Sequence, residues 1–374
     1  MTTHSHPGVM HVVDSLDLGG TETVAVNLAN RLPRDRFRSF LCSTRPSPNG
    51  GPLTSALQGD VFHLGLDRKS RFDFSAMRKF SKFIRDENIQ LLHVHGSSLF
   101  FSRLASLLSP AAAPRIIWHD HYGRCELNDR RAGLYRLAVA GANGVIAVNK
   151  RLVDWACREL HVSPTRVWYI PNFVMPPKNN AGEQHELPGF PRQRIVCLAN
   201  LRPQKDHLTL IRAMAIVCQK RPLAHLLLIG APGDSQYGES LRQEVARLQL
   251  QTNVSFLGQV ERASSLLSAC DVGVLSSASE GLPLSLLEYG WAGLPSIATS
   301  VGQCPEVLNH GNAGVLVDPG SPEKLAAAML QMLGSRLQRG EYGKRFAQYV
   351  RETFDPTTIM NQICQIYDLV LAGN

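Results

Sequence analysis

Several things are missing from this chain, and each absence narrows what it can be. No run of about 18 apolar residues occurs, so no membrane-spanning helix is expected. The first residues, Met1-Thr-Thr-His-Ser-His-Pro7, are polar and lack the apolar core of a signal peptide. The cysteines, Cys42, Cys125, Cys157, Cys197, Cys218, Cys270, Cys304 and Cys364, form no C-x-x-C pair. That pattern argues against a zinc ribbon or a disulfide framework, and for reduced thiols in a cytoplasmic protein. Neither half shows G-x-G-x-x-G after its first strand, which disfavours a nicotinamide-dependent enzyme. No D-x-D pair occurs anywhere, which removes one common carboxylate pair for a divalent cation.

What is present suits a two-domain globular protein. The chain has 374 residues, 44% hydrophobic and 19% charged, enough for two ordinary cores. The net charge of +8 is unevenly placed: residues 1–180 carry 23 Lys/Arg against 14 Asp/Glu, and residues 181–374 carry 16 against 17. The basic half points to an anionic partner such as a membrane surface or a lipid diphosphate, or simply to a soluble basic surface. Nucleic acid is suggested by charge alone, and no binding motif supports it.

Strands and helices alternate through both halves. Strands are expected at Val9 to Val13, Arg38 to Ser43, Val61 to Leu64, Ile89 to His95, Arg115 to Trp118, Val145 to Val148 and Val167 to Ile170. Helices are expected at Thr23 to Asn30, Phe74 to Glu87, Leu99 to Leu108 and Arg131 to Ala140. Gly19-Gly20, at a strand-to-helix turn, allows close backbone approach to a ligand. The pattern breaks in a polar, Pro- and Gly-rich stretch read as a linker over 176–191. It then restarts with strands at Ile195 to Leu198, Leu226 to Ile229, Val254 to Phe256, Cys270 to Leu275 and Ser296 to Thr299. Helices are expected at Asp206 to Gln219, Tyr237 to Leu248, Ser321 to Leu333, Arg336 to Arg351 and Pro356 to Leu371. Such alternation predicts α/β architecture with doubly wound parallel sheets.

The most informative stretch is Glu280-Gly-Leu-Pro-Leu-Ser-Leu-Leu-Glu288, two carboxylates around a small and apolar run. Gly281 and Pro283 punctuate its start, with Pro283 read into the first helical turn and Glu288 about two turns into the helix. A glycosidase pair is disfavoured: retaining glycosidases hold their carboxylates about 5–5.5 Å apart, whereas eight helical residues span about 12 Å.

In the second half the marks run in order: Asn200-Leu-Arg-Pro-Gln-Lys-Asp206, Leu228-Ile-Gly230, Phe256-Leu-Gly258, Glu280 through Glu288, Val301-Gly-Gln-Cys-Pro-Glu306 and Gly314-Val-Leu-Val-Asp-Pro319. With Gly19-Gly20, His93-Val-His95 and Tyr169-Ile-Pro-Asn172, this series resembles the retaining glycosyltransferases of family 4 with the GT-B fold, over nearly the whole chain. The resemblance implies two Rossmann-like domains facing a cleft. An acceptor domain would occupy 1–175, a donor domain 192–355, and a last helix over 356–374 would return to the first domain.

The resemblance also implies roles. A nucleotide-sugar donor, UDP- or GDP-linked, would sit on the second domain, and a saccharide or lipid-linked acceptor on the basic first. Without D-x-D no metal or cofactor is expected, and Arg202 and Lys205 would neutralise the diphosphate with helix amides near Leu284 and Ser285. Glu280 would take sugar hydroxyls and Glu288 the ribose, since a carboxylate suits a vicinal diol. Gly19, Gly20, Gly230, Val260, Gly281, Leu282 and Pro283 complete the expected donor-binding set. Asn200 stands where most of the family carries arginine; here the arginine comes two positions later. A histidine beside the reacting sugar is expected at His121, with His119 as the alternative. His93 and His95 read equally well as core residues. The helix from Phe74 is basic and amphipathic, suited to covering the sheet or to touching a membrane. The other readings are a GT-B epimerase or hydrolase and a non-catalytic sugar-nucleotide-binding protein.

Overall fold

The computed structural model describes residues 6–17, 19–47, 50–107, 114–122, 130–176, 186–232, 235–260 and 263–373. The expected linker falls partly outside them, at 177–185. The chain forms two units. One runs to Phe173 and takes up Pro356 onward; the other is Val174–Asp355.

The first unit is built from β1 (Gly8–Val13), α1 (Gly20–Arg31), β2 (Arg38–Ser43), β3 (Phe62–Gly65), α2 (Phe74–Asp86), β4 (Ile89–His95), α3 (Ser98–Leu107), β5 (Arg115–Asp120), α4 (Ala132–Val139), β6 (Gly144–Ala147), α5 (Lys150–Arg158) and β7 (Val167–Tyr169). Its seven strands pair in parallel in the order β3-β2-β1-β4-β5-β6-β7. Chain direction across the sheet therefore reverses between β1 and β4, where open α/β sheets bind ligands. All six residues of β1 are buried, as a strand covered on both faces must be.

One face of the central strands carries Met10, Val12, Leu92, Val94, Ile116 and Trp118 into the main core. Residues at alternate positions, His11, His93, His95 and His119, point to the other face and are equally buried.

Helix α5 was not among the expected elements, yet its signals are local. Asn149 caps it by accepting from the Leu152 amide at 2.8 Å, and Leu152, Trp155 and Ala156 form its buried stripe.

The second unit comprises β8 (Arg194–Leu198), α6 (His207–Lys220), β9 (His225–Ile229), α7 (Ser235–Arg247), β10 (Val254–Gly258), α8 (Ala263–Leu267), β11 (Val272–Leu275), α9 (Leu284–Trp291), β12 (Ser296–Thr299), α10 (Cys304–Val307), β13 (Val315–Val317), α11 (Pro322–Gly334) and α12 (Arg336–Thr353). Its sheet runs β10-β9-β8-β11-β12-β13, all parallel, with the reversal between β8 and β11. The chain thus forms two Rossmann-like units of GT-B type.

The stretch read as linker is fastened at its second end. Arg194 donates to the carbonyls of Leu187, Pro188 and Gly189 at 2.8–3.1 Å, so these residues belong to the second unit's surface.

Helix α13 (Pro356–Leu371) packs in the first unit. Arg36 pairs with Asp368 at 2.5 Å, and Tyr367 lies edge-on to Phe37 and hydrogen-bonds His93 on β4. No described helix is long and apolar enough to cross a membrane.

Candidate active site and a buried histidine array

In the second unit the loop after β8 meets the loop after β11. Lys205 Nζ donates to Glu280 Oε1 at 2.6 Å, and Ser277 Oγ donates to the same oxygen at 2.6 Å. Backbone bonds hold the two loops together: the Ala278 amide donates to the Gln204 carbonyl at 2.9 Å, and Ser276 Oγ reaches the carbonyls of Lys205 and Asp206. Asp206 takes a left-handed conformation to end one turn and cap α6, accepting from the Thr209 amide and hydroxyl at 3.3 and 2.6 Å.

Glu280 is 6% exposed, and the Lys205 side chain is 19% exposed. Gly302 closes the site from behind. Its φ is +54°, and a Cβ there would stand 2.0 Å from the Glu280 carbonyl oxygen. Only glycine fits that approach.

Glu280 and Glu288 do not share a helix. Residues 280–283 are non-helical and α9 begins at Leu284, so Glu288 lies little more than one turn in, and Pro283 is the N-cap residue rather than part of the first turn. The helical-span argument therefore holds only from Leu284 onward. What separates the two carboxylates is their surroundings. Glu280 is ion-paired, whereas burial pushes Glu288 up to about 7. The amides of Leu284 and Ser285 open the helix, with the Leu286 amide already bound to the Pro283 carbonyl.

Of the other expected residues, Leu282 and Pro283 are buried, and Gly281 accepts from the Gln303 amide at 3.0 Å. Gly230 crosses so close to β8's loop that a Cβ would lie 2.2 Å from the Ala199 carbonyl. Val260 packs half-buried against the core. Arg202 is exposed and makes no ion pair among the described residues. Asn200 has a scaffold role here: its Oδ1 accepts from the Ala231 amide at 2.9 Å, tying the loops after β8 and β9.

In the first unit, Gly19 caps α1 and Gly20 opens it. His121 lies just past the end of β5, while His119 is inside the strand, 1% exposed. The two belong to an array of five histidines on β1, β4, β5 and the turn just after β5, in which His11 had no sequence signal of its own. Its signal is the strand order, which sets His11 directly opposite His93.

Two hydrogen-bonded rows result. In one, His11 Nδ1 meets His95 Nε2 at 3.1 Å and His95 Nδ1 meets His121 Nε2 at 2.9 Å. In the other, Tyr367 meets His93 Nδ1, and His93 Nε2 meets His119 Nδ1 at 3.0 Å. The rows lie against each other, with His93 stacked on His95 (centroids 4.5 Å apart, planes 11°) and His119 tilted against His121 (4.0 Å, 32°). Burial depresses every member: His11 and His121 titrate at about 3, and His93, His95 and His119 well below the usual range, helped by their neighbours.

Two triads, His11/His93/His95 and His95/His119/His121, place ring nitrogens within 4.8 Å of one another. A zinc chelate needs in-plane lone pairs converging at about 2.0–2.1 Å. Stacked rings whose facing nitrogens already share hydrogen bonds do not converge, so the array fits bonded rows rather than a chelate.

Beside it, Asp120 and Arg130 form a buried bidentate pair at 2.6 and 3.2 Å. The guanidinium stacks on Tyr122, Tyr135 and Trp155 at 4.2–4.4 Å.

Comparison with known proteins gives a consistent picture. A family model described as "Glycosyltransferase Family 4" matches residues 18–176, and one described as "Glycosyl transferases group 1" matches residues 192–335. The chain is 24% identical over 357 residues to the Escherichia coli UDP-Gal:alpha-D-GlcNAc-diphosphoundecaprenol alpha-1,3-galactosyltransferase, covering 90% of each. It is 32% identical over 177 residues to the Bacillus anthracis N-acetyl-alpha-D-glucosaminyl L-malate synthase, a match spanning 47% of this chain and 45% of that one. Among solved structures, HepE from Anabaena in complex with UDP and glucose superposes with a TM-score of 0.81 at 20% identity, covering 97% of this chain and 100% of that one.

Proposed function

The chain belongs to the group 1, family 4 glycosyltransferases, and from that premise we propose that it is a retaining, metal-independent enzyme using a UDP- or GDP-linked sugar. The observation that carries the reading is the meeting of Lys205 and Glu280 at the sheet reversal, a lysine and a carboxylate locked at 2.6 Å beside the open amides of α9. Lys205, Arg202 and the amides of Leu284 and Ser285 would hold the diphosphate. Glu280 would bind sugar hydroxyls, and Glu288, protonated or ionised near neutrality, the ribose diol. Gly230, Gly281 and Val260 would frame the base and ribose.

In the reaction the acceptor hydroxyl bonds to the anomeric carbon on the face the diphosphate leaves. The carbon–oxygen bond to phosphate breaks, and the departing phosphate oxygen takes the acceptor's proton. Lys205 stabilises the charge that develops there. His121 would position the sugar rather than titrate, since its imidazole is neutral across the working pH range.

The acceptor is a saccharide or lipid-linked saccharide precursor of a surface polysaccharide or glycolipid, and the enzyme works at the cytoplasmic face. The first unit supports that setting. Phe62, Phe72 and Phe74 are 61–68% exposed among exposed Lys69, Arg71, Arg78 and Lys82, the composition of a surface that rests on anionic lipid.

Thermal-shift measurement against UDP, GDP, ADP and their sugars identifies the donor. Transfer with that donor should then collapse in Lys205→Ala and Glu280→Ala. Undiminished transfer in either variant would overturn the site. Donor breakdown at the same rate without any acceptor would instead mark a hydrolase or epimerase.

A further inference from the structure

The row His11–His95–His121 has only two self-consistent arrangements of its ring hydrogens. All three imidazoles are neutral, so each carries one N–H, and each of the two contacts needs one donor and one acceptor. If His95 carries its hydrogen on Nδ1, it donates to His121 Nε2 and accepts from His11 Nδ1. His121 must then carry its own hydrogen on Nδ1, and His11 Nε2 is a bare lone pair. If His95 carries it on Nε2, every bond reverses: His121 Nδ1 is bare and His11 Nε2 bears an N–H.

The surroundings distinguish the two. His11 is 0% exposed and its Nε2 has no partner among the described residues. An orphaned buried N–H is the rarer and costlier defect, and only the second arrangement creates one there. At the other end, Asn172 is the polar neighbour of His121, and its Oδ1 is a buried acceptor without a partner. An N–H on His121 Nδ1 suits that oxygen, and a lone pair does not.

We propose that this row locks His121 in the Nδ1–H tautomer with its hydrogen directed at Asn172 Oδ1, making His95 a positioning residue that fixes the His121 ring and leaves it no free lone pair to act as a base. The stacked row Tyr367–His93–His119 holds the ring planes, so the lock belongs to the whole array. The inference rests on the placement of His121 in the reaction site, and its test separates the two claims.

The tautomers are read directly from two-bond proton–nitrogen correlations of the imidazoles in the full-length 15N-labelled protein, with His121 assigned by its loss in His121→Ala. Nδ1–H on both His95 and His121 is the expected result. Nε2–H on both overturns the proposal.

Turnover supplies the second arm. His95→Asn places an amide N–H where Nδ1 faces His121, and His95→Gln places it where Nε2 faces His11. His95→Asn should keep most of the wild-type kcat, whereas His95→Gln should lose about tenfold, the worth of one hydrogen bond, with KM for the nucleotide-sugar unchanged. Equal kcat values in two folded variants would overturn the positioning role. If both variants misfold, the wild-type spectrum still decides the tautomer. Unchanged turnover in His121→Ala would sink the placement of His121 in the site, leaving the tautomer result to stand or fall by itself.

Discussion

At the reversal point of the first sheet, four buried imidazoles and the half-buried His121 lie side by side; at the reversal point of the second, a lysine and a glutamate lock at 2.6 Å. The two positions are topologically equivalent and their electrostatics are opposite. An imidazole can be buried cheaply because it sheds its proton, which burial drives to about 3 for His11 and His121. A lysine and a carboxylate keep their charges by pairing and by staying near the surface, as Lys205 does at 19% exposed. The neutral array orients, and the ion pair is charged for a charged ligand. Even the outer surfaces differ, with the basic excess confined to the first 180 residues.

The strongest way to break this contrast is to remove the cation. Lys205→Ala should cut turnover by about 10²–10³, as loss of one charge-stabilising donor does. It should also cost about 3–5 kcal/mol of stability by leaving Glu280 buried without its lysine. Adding Glu280→Gln should restore the urea-unfolding midpoint without restoring turnover. A double variant as unstable as the single one would show that the pair is not what Glu280 answers to.

Glu288 sharpens the contrast within the second unit. Its folded value of about 7 lies above the unfolded carboxyl, so folding is unpenalised below about 4.5. Stability then falls as pH rises toward 7, by roughly 3 kcal/mol in total. Glu288→Gln should therefore be more stable than wild type at pH 8 while binding the nucleotide about tenfold more weakly, one hydrogen bond's worth. Calorimetry at pH 5 and pH 8 reads both.

The histidine array carries the opposite sign. Unfolded imidazoles bind protons below about 6.5, whereas folded His11 and His121 do not until about 3, so stability should fall as pH drops through that window. Replacing one member, His11→Asn, should flatten the slope of unfolding free energy between pH 6.5 and 5 by about 1.4 kcal/mol per pH unit. An unchanged slope would mean that His11 is protonated in the folded protein.

The smallest expected effect concerns the surfaces. Neutralising Arg71 or Lys82 should weaken binding to anionic vesicles by about 1 kcal/mol each, and salt should erase the difference. Equal binding to neutral vesicles would remove the membrane from the comparison.

Much of the fold was legible because its signals are local. β2 and β4 were expected within their observed bounds, and Phe74, Pro356 and Leu371 mark helix ends as read. Helix α5 was missed although Asn149 is an ordinary cap, because its apolar stripe is only Leu152, Trp155 and Ala156. The stretch Glu280 to Glu288 was visible as a unit, but the share of it that is helical was not, since Pro283 suits both an N-cap and a first turn.

The sequence alone determined the α/β alternation, the Glu280–Glu288 stretch and the basic bias of the first half, all written in periodicity, turn residues and composition. Tertiary structure decided the partnerships. Lys205 and Glu280 are 75 positions apart and meet because β8 and β11 are neighbours at the sheet's reversal. Tyr367 reaches His93 across 274 positions because the last helix packs on the first unit. His11 joins His95 only because β1 lies beside β4. Periodicity is a property of adjacent residues, whereas strand order is settled by which faces can be buried together, and that is where both polar clusters were made.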